Sequence, residues 1–193
     1  MTRNIDRAER MIRDLLDASR IEARLGVGVQ PDACDLLAIA AHTLEELSAV
    51  YPGRFRLQAE GDFTLVADPE ALQRVIENLA SNAAKYGAPG TTIEVALGRS
   101  ERRLTLQVTN QGTPIPKSQL QSIFEPFQRA ETGTRSGVQG WGLGLALVRG
   151  FAEAHGGTVT VTSTAETGTC FTVSLPLRPP LTSGSDALDR LHS

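Results

Sequence analysis

Three glycines alternate with larger residues in Gly140-Trp141-Gly142-Leu143-Gly144, and the chain then runs directly into the apolar, helix-patterned Leu145-Ala146-Leu147-Val148. Glycine at every second position frees the backbone to take positive φ and to approach a ligand closely. The first-turn amides of the following helix have no partners inside that helix, so they form an anion site whose usual occupant is phosphate. A plain glycine-rich loop capping a buried helix has the same pattern, and the motif alone leaves both readings open. A dinucleotide-binding strand–loop–helix does not fit, because Arg129 to Val138 is polar and rich in Gly, Thr and Ser rather than a buried strand. The glycines close a loop, and the rest of the chain must say what it covers.

A length of 193 residues suits one ordinary domain plus an appendage. Forty per cent hydrophobic residues suffice for a core, which 5% aromatic content makes aliphatic. The net charge of −3, with a pI near 5.7, argues against a nucleic-acid face. No apolar run approaches a membrane span and the N-terminus lacks a signal-peptide pattern, so a cytoplasmic region without membrane contact is expected. Cys34 and Cys170 stand far apart without metal-ligand spacing and read as small buried residues in a reducing compartment.

Residues 3 to about 24 read as one helix with Ile5, Ala8, Ile12, Leu15 and Ser19 at heptad spacing and charge elsewhere, the pattern of a helix that packs on partner helices in a bundle. A surface helix on its own domain is the competing reading. Beyond the Gly26-Val27-Gly28 break, Val27 to Val29 is a candidate short strand and Asp35 to Val50 a helix on which His42 reads as structural. Arg54 to Gln58 and Phe63 to Ala67 read as two strands around the turn Glu60-Gly61-Asp62. Asp68-Pro69-Glu70 opens a helix that ends near Tyr86, with Asp as cap, Pro at the first position and Glu at the positive dipole end. Thr92 to Gly98 and Arg103 to Asn110 alternate as a hairpin, Gln119 to Phe127 reads as a short helix, and 128 to 139 as a flexible lid. A helix through Ala154 stops at His155-Gly156-Gly157, and a second hairpin pairs Thr158 to Ser163 with Thr169 to Leu177.

On the central helix, at about 100° per residue, Asn78, Asn82 and Lys85 fall in one stripe roughly 60° wide bordering the apolar face. Two amides and an ammonium at a core margin are costly unless bonded. A carboxamide oxygen suits Mg²⁺, and a lysine nearby can reach the same phosphates. Solvated side chains on an exposed face are the alternative.

These residues together resemble a known family. The series Asn78-Leu79-Ala80-Ser81-Asn82-Ala83-Ala84-Lys85-Tyr86, Asn110-x-Gly112, Phe124-x-x-Phe127-x-Arg129, Gly140-x-Gly142-Leu143-Gly144-Leu145 and Gly168-Thr169-x-Phe171 resembles the ordered N, G1, F and G2 boxes of two-component sensor histidine kinases, within the GHKL ATP-binding superfamily. The likeness covers about residues 29 to 177, and five motifs in order are far more specific than one. Residues 14 to 22 resemble the second helix of the kinase dimerisation and phosphotransfer bundle. The resemblance implies an α/β (α+β) two-layer Bergerat sandwich, a mixed and mostly antiparallel sheet with helices on one face. It divides the chain into a partial bundle helix at 1–25, a catalytic domain at 27–178 and a disordered tail at 179–193.

The resemblance implies ATP and Mg²⁺ as cofactors. Carried over by position, Asn82 is the Mg²⁺ ligand with Asn78 one turn earlier; Lys85 and Arg129 meet phosphates, and with Asn78 they form the catalytic set. Tyr86 lines the nucleoside side, and Ile115 and Phe124 belong to the cofactor-binding set. Asn110 and Gly112 read adenine, with Thr169 close behind. Gly140, Gly142, Leu143, Gly144 and Leu145 form the lid base. In hydrolytic superfamily members a Glu at the position of Asn78 activates water; an amide cannot take that proton, so the γ-phosphate is left for another nucleophile. The family's first glycine box usually begins with Asp, whose carboxylate accepts from the adenine amino group. Asn110 accepts without charge, which implies binding weaker by about 1 kcal/mol. The phospho-accepting His is missing: only His42, His155 and His192 occur, so the chain looks like part of a longer kinase. Its implied partners are a phospho-accepting histidine helix, a second copy in a full-length homodimer and a response regulator receiver domain. An anti-sigma-type serine kinase and a nucleotide-gated interaction module without transferase activity are the alternatives.

Overall fold

The central helix starts where the sequence places its cap. Asp68 Oδ1 accepts the Ala71 amide at 3.1 Å, Pro69 takes the first helical position, and the helix runs Pro69–Tyr86. The computed structural model describes residues 12, 15–21, 23, 25–128 and 142–178. In chain order its elements are β1 (Asp32–Asp35), α1 (Leu36–Ser48), β2 (Phe55–Gln58), β3 (Thr64–Ala67), α2 (Pro69–Tyr86), β4 (Ile93–Arg99), β5 (Arg103–Asn110), α3 (Gly144–Ala154), β6 (Thr158–Thr164) and β7 (Gly168–Pro176). Two 3₁₀ turns, Lys117–Gln119 and Ser122–Phe124, stand between β5 and α3.

Five strands form the main sheet in the order β2-β4-β5-β7-β6, antiparallel except for the parallel β2–β4 pair. Alternation does the sorting. Ile93, Val95 and Leu97, Leu104, Leu106 and Val108, and Phe171, Val173 and Leu175 are buried toward the helices, while Glu94, Gln107 and Thr160 stand on the opposite, exposed face. On the helix side, Ile76, Leu79 and Ala80 of α2 and Leu147 and Val148 of α3 are wholly buried in the same core. Each large aliphatic side chain so buried contributes roughly 1.5–3 kcal/mol. This is the two-layer sandwich with helices on one face that the resemblance implies.

Four local expectations need correction. Val27–Val29 is no strand: Val27 packs into the core, and the next ladder begins at Asp32, after the Gln30 amide has bonded Asp68 Oδ2 at 2.8 Å. The segments flanking Gly61 do not pair with each other. β3 joins β1 in a separate two-stranded sheet, while β2 runs parallel to β4. The reason is the core: Phe63, Leu65 and Ala67 are buried, and the Phe63 carbonyl accepts the Leu36 amide at 3.1 Å, which holds β3 beside α1. The helix expected over Gln119–Phe127 is reduced to the two 3₁₀ turns, because Pro116 and Pro126 bracket it and Phe127 takes φ of 62°. Finally, the cysteines are half-buried rather than buried; burial pushes the Cys34 thiol upward, against the opposing effect of its bond to the Ala67 carbonyl.

Of the N-terminal helix, residues 12 and 15–21 are described as helical. Ile12, Leu15 and Leu16 are exposed, so the apolar stripe predicted to meet partner helices is left open over the described residues. Another face docks on the domain. Ala18 is wholly buried, Ile21 packs against Gly150, and Asp17 bonds Arg74 of α2 at 2.8 Å. The Arg74 guanidinium lies 4.7 Å from the Phe151 ring centroid, a cation–π contact that couples this docking to α3. Among the described residues, no helix is long and apolar enough to cross a membrane. The predicted lid at 128–139 falls, except for Gln128, outside the described residues, as does the tail at 179–193.

Candidate functional site

One end of the site is built by α2 and the start of α3. Asn78 is half-buried; its Nδ2 donates to the Arg74 carbonyl at 2.9 Å, and its Oδ1 lies so close to α3 that a methyl added at Gly144 would sit 2.6 Å from it. Only glycine allows that approach. One turn on, Asn82 is also half-buried, and its amide has no hydrogen-bond partner among the described residues. Lys85 closes the stripe at the exposed end of the helix. Of the three polar residues of the stripe, Asn78 is the one that meets the start of α3.

Across from them α3 begins without a capping side chain. Leu143, the residue before its first turn, makes no side-chain cap bond and is itself buried, so the first-turn amides receive no cap from that position. Gly142, at φ of 70°, brings the chain into that turn, and its carbonyl accepts the Phe127 amide at 3.0 Å. A side chain at Gly142 would meet the Gln128 carbonyl oxygen at 2.7 Å. The residues on either side of 129–141 are therefore tied together at this point. Arg129 and Gly140, two of the predicted site residues, lie outside the described residues.

The other end is neutral and polar. Asn110 ends β5 opposite Thr169 of β7, and both are 6% exposed. Asn110 Nδ2 donates to the Gln111 carbonyl at 3.2 Å. Gly112 forms a bridge with Gly87 just past α2, and the Ala88 amide reaches the Gln111 carbonyl at 2.6 Å. A Cβ on Gly112 would lie 3.0 Å from the Tyr86 carbonyl oxygen, so this glycine lets the strand end and the helix end meet. Phe124 stacks edge-on against Phe171 at 6.2 Å, closing the floor below Thr169. Tyr86 is 42% exposed at the rim, and Ile115 and Leu145 are half-buried.

One residue here escapes the sequence reading. Ser163 Oγ accepts the Ile115 amide at 2.9 Å and shares a proton with Thr169 Oγ1 at 2.7 Å. It shares strand parity with Val159 and Val161, the inward-leaning positions of β6, a signal obscured by the surrounding threonines. Among the described residues no group of three His, Cys, Asp or Glu side chains could hold a metal ion. His42, predicted structural, is exposed on α1 beside Glu46. His155 is 2% exposed and bonded within the fold.

Residues 67–179 match the family described as histidine kinase-, DNA gyrase B- and HSP90-like ATPase. The circadian input-output histidine kinase CikA of Synechococcus elongatus is 35% identical over 173 residues, covering 86% of this chain and 23% of that one. The mycobacterial sensor histidine kinase MprB superposes with a TM-score of 0.68 at 27% identity, covering 78% of this chain and 100% of that structure. Full-length ShkA in complex with AMPPNP has the same fold, with a TM-score of 0.74 at 24% identity over 92% of this chain and 37% of that one. The chain spans about a quarter of the length of the curated relatives it matches. With the two-layer sandwich in place and residues 67–179 matching its model, the chain belongs to the histidine kinase-, DNA gyrase B- and HSP90-like ATPase family, and it is similar over most of its length to the ATP-binding regions of histidine kinases.

Proposed function

We propose that this chain binds Mg-ATP between α2 and the start of α3 and transfers the γ-phosphoryl group to a histidine supplied in trans. The observation that carries this reading is the approach of Asn78 to Gly144, which brings the first residue of the Asn78–Asn82–Lys85 stripe to a helix start that its own N-cap side chain leaves uncapped. In this reading Asn110, Gly112 and Thr169 hold the base, with Tyr86, Ile115 and Phe124 around the nucleoside. Lys85 and Arg129 neutralise phosphate charge, and Gly140, Gly142, Leu143, Gly144 and Leu145 supply backbone donors and the hinge. Asn82, with a half-buried carboxamide that no described residue bonds, fits a Mg²⁺ ligand. When bound, the cation would offset charge on the phosphate oxygens; the protein's own task is to align the transferred group.

Asn78 makes water a poor acceptor. Its amide, bonded to the Arg74 carbonyl, has no basic site to draw a proton from water. The nucleophile must therefore come from elsewhere, and a neutral imidazole nitrogen needs no such base. His155, bonded through both ring nitrogens, is not available for that role. In this reading the chain serves two-component signalling, and its partners are a second copy in a dimer and a response regulator receiver domain.

The test is transfer in trans. Mixing the chain with a separately made histidine-bearing helix bundle and labelled Mg-ATP should give acid-labile phosphohistidine on the bundle, and Asn82→Ala should abolish both metal-dependent nucleotide binding and transfer. Nucleotide binding with no transfer to any bundle offered would instead favour a nucleotide-gated interaction module. Undiminished Mg²⁺-dependent binding by Asn82→Ala would remove Asn82 from the site.

A further inference from the structure

Resting on that nucleotide reading, we infer that the base site accepts 6-oxopurine nucleotides, guanosine or inosine triphosphate, as well as adenosine triphosphate. The polar side chains at the base end are Asn110, Ser163 and Thr169, which are 6, 9 and 6% exposed. All three are neutral, and none of their hydrogen bonds runs to a carboxylate. Their bonds go to the Gln111 carbonyl, to the Ile115 amide and to one another. A carboxylate in this position would only accept. It would favour the amino group on C6 of adenine and repel the oxygen on C6 of guanine or hypoxanthine.

The carboxamide of Asn110 differs in kind. It has two N–H donors and a carbonyl acceptor, and the Gln111 carbonyl occupies one donor at 3.2 Å. One donor and one acceptor remain side by side. The hydroxyl pair behind it is just as adaptable. At 2.7 Å either Ser163 or Thr169 can be the donor, and when Ser163 donates, the Thr169 proton is released for another acceptor. Passing from adenine to a 6-oxopurine reverses the pattern at two neighbouring ring positions: the C6 substituent changes from donor to acceptor, and N1 from acceptor to donor. Each of these three polar groups can reverse with it, and none of their bonds among the described residues runs to a charged group that would oppose the change.

The experiment is calorimetric titration of the whole chain, with Mg²⁺, using non-hydrolysable adenosine, guanosine and inosine triphosphate analogues. At least one 6-oxopurine analogue should bind within about tenfold of the adenosine analogue, a gap of no more than about 1.4 kcal/mol. Asn110→Asp, which restores an acceptor-only group, should widen the adenosine preference beyond about tenfold, chiefly by weakening the 6-oxopurine analogues. A thermal melt of that variant checks that it folds, and the wild-type ratio stands without it. If the adenosine analogue binds and both 6-oxopurine analogues are more than about tenfold weaker, this inference is overturned while the nucleotide reading survives. If no analogue binds, the nucleotide reading fails and the inference falls with it.

Discussion

His155 shows how much of the fold can hang on one side chain. Its Nδ1 faces the Phe151 carbonyl at 2.7 Å, and the Asp68 amide donates to its Nε2 at 2.9 Å. Because a backbone N–H can only donate, Nε2 must accept and Nδ1 must carry the proton. Asp68 is at the same time the cap of α2 and the acceptor for the Gln30 amide, so the imidazole ties the end of α3 to the start of α2 and to the chain entering the domain. Replacing it, as His155→Leu, strands the Asp68 amide, leaves the Phe151 carbonyl only its bond from the residue-155 backbone amide, and should cost about 2–3 kcal/mol. That corresponds to a fall in Tm of roughly 5–10 °C for a domain of this size, readable by calorimetry. A melt unchanged within 2 °C would show that the two bonds contribute nothing net. The sequence marks this residue only as the stop of α3; its partner lies 87 positions away, and no local pattern encodes that. Asn78 and Asn82, by contrast, are legible from helical periodicity alone, because their placement depends only on the angle between residues of one helix.

At the scale of elements, legibility follows the range of the contacts. The hairpins β4–β5 and β6–β7 are local, and alternation around the short turns Ser100-Glu101 and Glu166-Thr167-Gly168 is enough to read them. The strands β2 and β3 are adjacent in sequence, yet they belong to different sheets, since burial of Phe63 and Leu65 beside α1 outweighs a short connection. The N-terminal helical segment is a second such case. Its predicted apolar stripe is exposed over the described residues, and its hold on the domain comes from Asp17, Ala18 and Ile21. Both members of the Asp17–Arg74 pair are largely covered, which lifts the pair above the typical surface ion pair. A double-mutant cycle with Asp17→Asn and Arg74→Met should return a coupling of about 1 kcal/mol by chemical denaturation. Additive effects would mean that the segment is held by Ala18 and Ile21 alone. Arg74 also carries the carbonyl that Asn78 bonds, so this contact lies one helical turn from Asn78.

For the whole molecule, sheet order sets a gradient of stability. β5 lies at the centre with β4 and β7 on either side, and β2 and β6 form the edges. Amide exchange followed by mass spectrometry should find β5 and the β7 ladder slowest, and the outward amides of β6 and β2 fastest. Equal protection of β6 and β5 would mean that something covers the edge in solution. The parallel pairing of β2 with β4 has a further consequence, in the order in which the chain is made. During synthesis Phe55–Gln58 leaves the ribosome about forty residues ahead of the end of its only ladder partner, with β3 and the whole of α2 between them. At about 5–20 residues per second, the strand waits some 2–8 s without its ladder. It alternates Phe55 and Leu57 with Arg56 and Gln58, and these two polar side chains are what keeps so short an unpaired strand from finding another neighbour first.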